Sequence, residues 1–207
     1  MTAYHGGKQR IGKQLAEVIY DTSIKIEEKY GFQIKGYCEP FCGMLGVYQH
    51  IPALFQDKKH NKLKYKAGDA NKSVILMWKA AQKGWKPPAE KISKKEFLAL
   101  KNSKPSAFSG FIGHVHAFRG VYFTGYFTHP KSKLRHSSQR GQDIASNLKN
   151  VSFQSGDYKK YSNLKNYIIY CDPPYAGTRQ HYFRRSTAVS TGRHNKKVNL
   201  NFDSDEF

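Results

Sequence analysis

The chain has 207 residues, of which 35 are Lys or Arg and 15 are Asp or Glu, so its formal net charge is +20. Aromatic residues make up 14% of the sequence, which excludes a disordered basic tail, and no apolar run is long enough to predict a membrane span. Three cysteines cannot form a fully paired disulfide framework, so we expect a reducing, cytoplasmic setting. A basic chain of this size indicates one globular domain whose leading candidate partner is nucleic acid.

The first part of the chain predicts alternating helices and strands. Apolar residues at helical spacing, short extended runs and glycines after helix ends are the signals. A turn rich in glycine connects the first predicted strand to the next helix. In chain order, we predict a helix at 13–29, a strand at 32–39, a glycine loop at 40–46, a helix starting near 47, a strand ending at 65–69 and a helix at 71–83.

The second part of the chain loses this alternation and then recovers it. Residues 89–150 are rich in Gly, Ser, aromatic and basic residues and show no clear strand–helix pattern. Residues 153–157 predict a short strand, and residues 166–171 are uniformly apolar, as buried parallel strands are. Pro173 and Pro174 end that strand, because proline cannot continue a central strand. The pattern predicts an α/β sheet that is interrupted by an inserted module.

Four carboxylates come at or just after the ends of the predicted strands: Glu39, Asp69, Asp157 and Asp172. A single Asp at such a place is usually a helix cap or a turn residue. Ligands of open α/β sheets, however, bind beyond the carboxyl ends of the strands. Four acids in this order therefore predict one shared crevice.

The segment 172–175, Asp-Pro-Pro-Tyr, carries the sharpest chemical signal. The two prolines remove backbone N–H donors and leave the carbonyl of Pro173 free to accept a hydrogen bond. Together with the Asp172 carboxylate it would hold an amino group, and Tyr175 offers a flat face for stacking. We expect an amino group on a planar ring to bind here. The simpler alternative is a proline turn with a capping aspartate.

These motifs resemble those of DNA amino-methyltransferases, specifically the DNA-adenine-methylase (Dam) family. The resemblance rests on Asp-Pro-Pro-Tyr at 172–175, Glu-Pro-Phe-Cys-Gly at 39–43 and Tyr-His-Gly-Gly-Lys at 4–8. It implies a Rossmann-like sheet that uses S-adenosylmethionine, with a small basic recognition module inserted. It further implies a catalytic domain at 1–84 and 152–207 and a target-recognition insertion at 85–151.

The resemblance also implies residue roles. Asp172, Pro173 and Tyr175 match the catalytic clamp. Asp69 matches the acid that accepts the ribose hydroxyls of the cofactor, and Asp157 the acid that accepts its adenine amino group. The full implied cofactor-binding set is Tyr4, Gly7, Lys8, Glu39, Phe41, Gly43, Asp69, Asp157 and Tyr158. No metal is expected.

The implied substrate is double-stranded DNA, as in restriction–modification systems. Arginines can contact guanine edges with two hydrogen bonds, whereas lysines more often neutralise phosphates. In the basic segment, we expect Arg119, Arg135 and Arg140 to contact bases and Lys131 and Lys133 to contact phosphates.

Several alternatives stay open. The sequence ends sooner than the family pattern leads us to expect, so we expect that the chain is a fragment, that a second chain completes the sheet, or that catalysis has been lost and nucleic-acid binding kept. The same clamp could act on RNA adenine, or the chain could be a catalytically impaired nucleic-acid-binding subunit. We expect His114 and His116 to be surface or stacking residues, and Cys42 and Cys171 to be small buried apolar groups.

Overall fold

The computed structural model describes residues 6–56, 60 and 62–174. Its centre is a sheet of four strands in the order β3-β2-β1-β4, and every neighbouring pair is parallel. The predicted α/β class is confirmed, and so are the four strands, with ends shifted by a few residues. The strands are β1 (Gly36–Glu39), β2 (Lys64–Asp69), β3 (Val151–Ser155) and β4 (Tyr167–Ile169).

Six α-helices accompany these strands in the described part of the chain. Gly31 ends the first helix in a left-handed conformation, and its N–H donates to the carbonyl of Glu27. The helix predicted near residue 47 is a 3-10 turn, Tyr48–His50, followed by a single α-helical turn. The helices are α1 (Gly12–Tyr30), α2 (Ile51–Leu54), α3 (Lys72–Gln82), α4 (Lys94–Lys101), α5 (Ala107–Val115) and α6 (Lys131–Ser146).

The middle segment is helical, although its sequence shows no clear pattern. Ser93 and Ser106 form capping boxes that start α4 and α5. Helix α5 packs tightly on α3. The approach is so close that a Cβ at Gly110 would overlap the carbonyl oxygen of Ser73. Its buried side chains lie in the same apolar core as those of the sheet and α3, so the two predicted parts share one core. The division at 85–151 stays a prediction.

The start of α1 lies directly on the glycine loop that follows β1. A Cβ at Gly12 would overlap the carbonyl oxygen of Gly46, and a Cβ at Gly46 would lie 3.0 Å from the backbone nitrogen of Lys8. Gly12 requires glycine for this close approach, and a side chain at Gly46 would push the backbone of Lys8 away. The N-terminal segment is thereby held beside the carboxyl ends of the strands. Within the described residues, no helix has the length and apolar character needed to cross a membrane.

Candidate functional site

The four predicted carboxylates lie at one edge of the sheet. Glu39 and Asp69 are the last residues of β1 and β2, Asp157 comes two residues after β3, and Asp172 comes three residues after β4. Because all four strands are parallel, these ends meet at the same side. Across the sheet the order is Asp157, Asp69, Glu39, Asp172.

Glu39 is a buried acid, with 3% of its surface exposed. Its Oε1 accepts a hydrogen bond of 2.7 Å from the hydroxyl of Tyr37. Burial raises the pKa of Glu39 to about 8; the hydrogen bond from Tyr37 opposes this shift, and the negative charge of Asp172 adds to it. At neutral pH, Glu39 is therefore mainly protonated.

Asp172 forms an ion pair with Lys8, which comes from the other end of the chain. The Nζ atom of Lys8 lies 2.7 Å from Oδ1 and 2.5 Å from Oδ2 of Asp172. The two side chains are 23% and 19% exposed, so water screens the pair only in part. The sequence motifs placed Lys8 near the cofactor and did not indicate this contact. It depends on β4 lying next to β1, which brings Asp172 to the glycine loop.

Asp69 connects the end of β2 to the glycine loop. Its Oδ2 accepts from the N–H of Gly43 at 3.0 Å, and its Oδ1 accepts from the N–H of Asn71 at 2.7 Å. Burial raises the pKa of Asp69 to about 6, and these two hydrogen bonds oppose the shift. The indole N–H of Trp78 donates to the carbonyl of Gly43, so the loop is held from both sides.

The glycine loop is a strained backbone. Gly43 and Leu45 have positive φ angles of 43° and 56°, and Leu45 is fully buried. Positive φ is costly for leucine, and such strain is typical of functional loops.

Phe41 and Tyr158 form an aromatic contact across the site. Their ring centroids are 5.4 Å apart, with planes inclined by 33°. Phe41 follows β1 and Tyr158 follows β3, so the contact bridges strands on either side of β2. Asp157, beside Tyr158, is exposed and caps a 3-10 helix, because its Oδ1 accepts from the N–H of Lys159 at 2.8 Å. Asp157 therefore caps a helix, as the simpler alternative predicts. It does so at the sheet edge where its predicted ligand-binding role would also place it.

The remaining predicted site residues divide by position. Gly7 is exposed at the start of the described chain, and Pro173 is partly buried beside Asp172. Tyr4 and Tyr175 lie outside the described residues, so the stacking face predicted for Tyr175 stays a prediction.

The predicted DNA contacts are grouped around α6 and the preceding turn. Lys131, Lys133 and Arg135 are exposed near the start of α6, and Lys131 lies 3.3 Å from a carboxylate oxygen of Glu90. Arg119 is exposed in a left-handed conformation with φ of 55°, and its guanidinium lies 5.2 Å from the ring of Phe118. Arg140 is half-buried on α6. None of the five lies among the strand-end carboxylates.

The histidines His114 and His116 are buried, with 5% and 0% of their surface exposed, so a surface position for them is wrong. His116 stacks on Tyr126 with ring planes inclined by 10°, as the alternative expectation held, whereas His114 contacts Tyr122 with planes inclined by 44°. Within the described chain, no three potential metal ligands lie together. Cys42 is fully buried, and Cys171 partly so. Burial raises the pKa of both thiols, which makes them poor nucleophiles at neutral pH.

Residues 106–199 match the family model of the D12 class N6 adenine-specific DNA methyltransferases. The match covers 94 of the 207 residues, slightly less than half of the chain. The predicted resemblance to DNA adenine methyltransferases is therefore confirmed at the level of the D12 class, and this supports DNA adenine methylation as the general activity. No curated protein matches the sequence.

The D12 match starts at the residue that caps α5 and includes β3 and β4, hence Asp157 and Asp172. Lys8, Glu39 and Asp69 precede the matched range. It is the sheet order and the Lys8–Asp172 ion pair that join them to the D12 segment. The fold thus assembles one edge with buried carboxyl groups, a backbone loop held for close approach and an aromatic pair.

Proposed function

We propose that the protein is a DNA adenine-N6 methyltransferase of the Dam type, which uses S-adenosylmethionine and acts on an adenine flipped out of duplex DNA. One observation carries the proposal: Asp172 of the Asp-Pro-Pro-Tyr motif lies at the same sheet edge as Glu39, Asp69 and Asp157. The D12 match over residues 106–199 supports it. The two alternatives, an RNA substrate and a catalytically inactive subunit, are distinguished by the tests below.

The sheet edge has the donors and acceptors that S-adenosylmethionine needs. A carboxylate has about four lone-pair sites, and the oxygens of Asp69 each accept one backbone N–H, so capacity is left for ribose hydroxyls. Asp157 lies beside the Phe41–Tyr158 pair, against which an adenine ring can stack while the carboxylate binds its amino group. Glu39 and Gly43 would border the amino-acid part. When bound, the cofactor supplies an electrophilic methyl group on a positively charged sulfur.

Asp172 and Pro173 would hold the target amino group. Each accepts a hydrogen bond from one amino proton, which favours a pyramidal nitrogen whose lone pair is no longer delocalised into the ring. Lys8 contacts both oxygens of Asp172, and each oxygen keeps a lone pair that can accept an amino proton of adenine. The ammonium group keeps the carboxylate oriented. Rate acceleration would come from positioning the two reactants and from fixed dipoles.

The basic side chains would hold the duplex while the base is extruded, at a cost of a few kcal/mol in unstacking. Lys131 and Lys133 would neutralise phosphates, so binding would weaken steeply with salt. The exposed guanidinium of Arg119 and those of Arg135 and Arg140 would contact guanine edges.

The decisive test is cofactor titration followed by methyl transfer. We expect S-adenosylmethionine to bind, and a tritiated methyl group to appear in adenine of duplex DNA. Failure to bind at millimolar concentration would contradict both enzymatic functions and favour the inactive subunit. Methyl transfer to RNA in place of DNA would support the proposed reaction and contradict duplex DNA as its substrate.

A matched pair of variants tests the clamp. Asp172→Ala should abolish transfer and leave cofactor binding within about tenfold. Asp143→Ala removes an exposed acid on α6 and should change neither. If Asp172→Ala loses cofactor binding as well, Asp172 has a structural role and the clamp is wrong.

A further inference from the structure

The amino ends of the strands carry a second charged array, opposite the carboxylates. Lys35 immediately precedes β1, Lys64 begins β2, and exposed lysines occur two residues before β2, β3 and β4. Every strand of the sheet thus brings at least one exposed lysine to this edge. We call this set the amino-end lysine row: Lys35, Lys62, Lys64, Lys149 and Lys165.

Strand register places these lysines at one edge of the sheet, within two residues of one another along the strand direction. Gly36 pairs with Lys64 on one side and with Tyr167 on the other. The N–H of Lys64 donates to the carbonyl of Lys35 at 3.0 Å, and the N–H of Lys35 donates to the carbonyl of Asn166 at 2.7 Å. Neighbouring strands are about 4.8 Å apart, so the row extends about 14 Å from β3 to β4.

The charges of the row have no neutralising partner among the residues that the structure describes. Among the described residues, no carboxylate forms an ion pair with any of its five lysines. The neighbouring polar residues on the edge strands, Asn150 and Asn166, carry no charge. Strand ends have little dipole, so the sheet itself supplies no compensating negative charge.

The row is too far from the candidate site to act there. From Lys64 to Asp69, β2 rises about 3.3 Å per residue, or about 17 Å in all. The Debye length at physiological salt is about 8 Å, so the lysines and the carboxylates hardly influence each other. A duplex that presents a base at the carboxyl ends of the strands therefore lies at the edge of the sheet opposite the row.

We propose that the amino-end lysine row binds the phosphates of a second segment of double-stranded DNA. The 14 Å span is close to the width of the major groove, about 12 Å, so Lys149 and Lys165 can reach phosphates on opposite sides of one groove. Binding by lysine neutralises phosphates without sequence preference. The geometry of the row alone supports the binding of a polyanion. The identification of that polyanion as DNA rests on the proposed function.

The experiment measures whether one protein molecule joins two duplexes. A biotinylated duplex on beads captures the protein and then a labelled second duplex. We expect the wild-type protein to retain the second duplex. The quadruple variant Lys35→Gln, Lys64→Gln, Lys149→Gln, Lys165→Gln should retain less than a tenth as much. The slope of log K against log salt for the second duplex should fall by about 3 to 4.

The matched control removes the same charge elsewhere. Lys91, Lys94, Lys95 and Lys104 are exposed lysines on and around α4, and their joint replacement by Gln should leave bridging in place. Thermal unfolding of both variants verifies the fold. Equal retention of the second duplex by the row variant and the wild type would overturn the proposal. Loss of heparin binding with unchanged duplex bridging would also overturn it, because the polyanion would then not be DNA.

Methyl transfer to a short single duplex separates this proposal from the proposed function. That duplex needs only the carboxyl edge, so the row variant should methylate it at the wild-type rate. If no variant transfers methyl groups and only the row variant loses bridging, the enzymatic proposal fails and the row proposal stands.

Discussion

Replacement of Glu39 by Gln should change how the stability of the protein depends on pH. Glu39 is almost fully buried, and burial raises its pKa from 4.5 to about 8. The folded state therefore favours the protonated acid. Stability from this group is fully present below pH 4.5 and is lost as pH rises through 8. Gln retains the acceptor for the Tyr37 hydroxyl but cannot ionise.

The size of the effect follows from the two pKa values. One unit corresponds to about 1.4 kcal/mol, so the shift of Glu39 from 4.5 to about 8 removes about 5 kcal/mol of stability between those pH values. About 3 kcal/mol of this is already lost at pH 7. The amide of Gln adds a desolvation cost of about 1–3 kcal/mol, which does not depend on pH. The free energy of unfolding of Glu39→Gln should therefore rise relative to wild type as pH increases.

Urea unfolding followed by tryptophan fluorescence at pH 5, 6, 7 and 8 measures the difference between the two proteins. Titrating groups that do not interact with Glu39 contribute equally to both proteins and cancel. Glu28→Gln, which removes an exposed acid of α1, is the control and should show a constant difference from wild type. A difference for Glu39→Gln that stays constant from pH 5 to 8 would refute the reasoning, because Glu39 would then ionise as an exposed acid does.

Three further predictions concern the loop and the basic surface. Gly12→Ala should lower the free energy of unfolding by more than about 2 kcal/mol in urea, because its Cβ would overlap the carbonyl of Gly46; Gly125→Ala, with 3.6 Å of clearance, should cost little. Trp78→Phe should cost about 1–3 kcal/mol in the same assay, because it leaves the buried carbonyl of Gly43 without its donor; a cost below about 0.5 kcal/mol would contradict this. Neutralising three side chains on α6 should reduce the salt slope of DNA binding by about 3, and an unchanged slope would move the DNA contact elsewhere. The three are Lys131, Lys133 and Arg135.

The strand ends and their acids could be predicted because parallel strands have a simple sequence signature. A uniformly apolar run that ends at two prolines, as at 166–174, has few other interpretations. Once four such ends are recognised, the common direction of the strands brings Glu39, Asp69, Asp157 and Asp172 to one edge without any knowledge of strand order.

Contacts between distant segments could not be predicted. The Lys8–Asp172 pair spans 164 residues and depends on β4 lying beside β1, which no local pattern specifies. The helices of the middle segment were missed because α6 has few apolar residues, and buried Ser and Gly form much of its inner face. The burial of His114 and His116 could not be predicted either, because the aromatic residues that contact them come later in the chain.

The place of β4 in the sheet sets the order in which the site forms during synthesis. β1, β2 and α3 emerge from the ribosome within the first half of the chain and can pair before the rest exists. Among the described strands, β3 then adds beside β2, and β4 is synthesised last and pairs with the other side of β1. The nascent protein therefore has its glycine loop and three of the four acids before Asp172 arrives to meet Lys8.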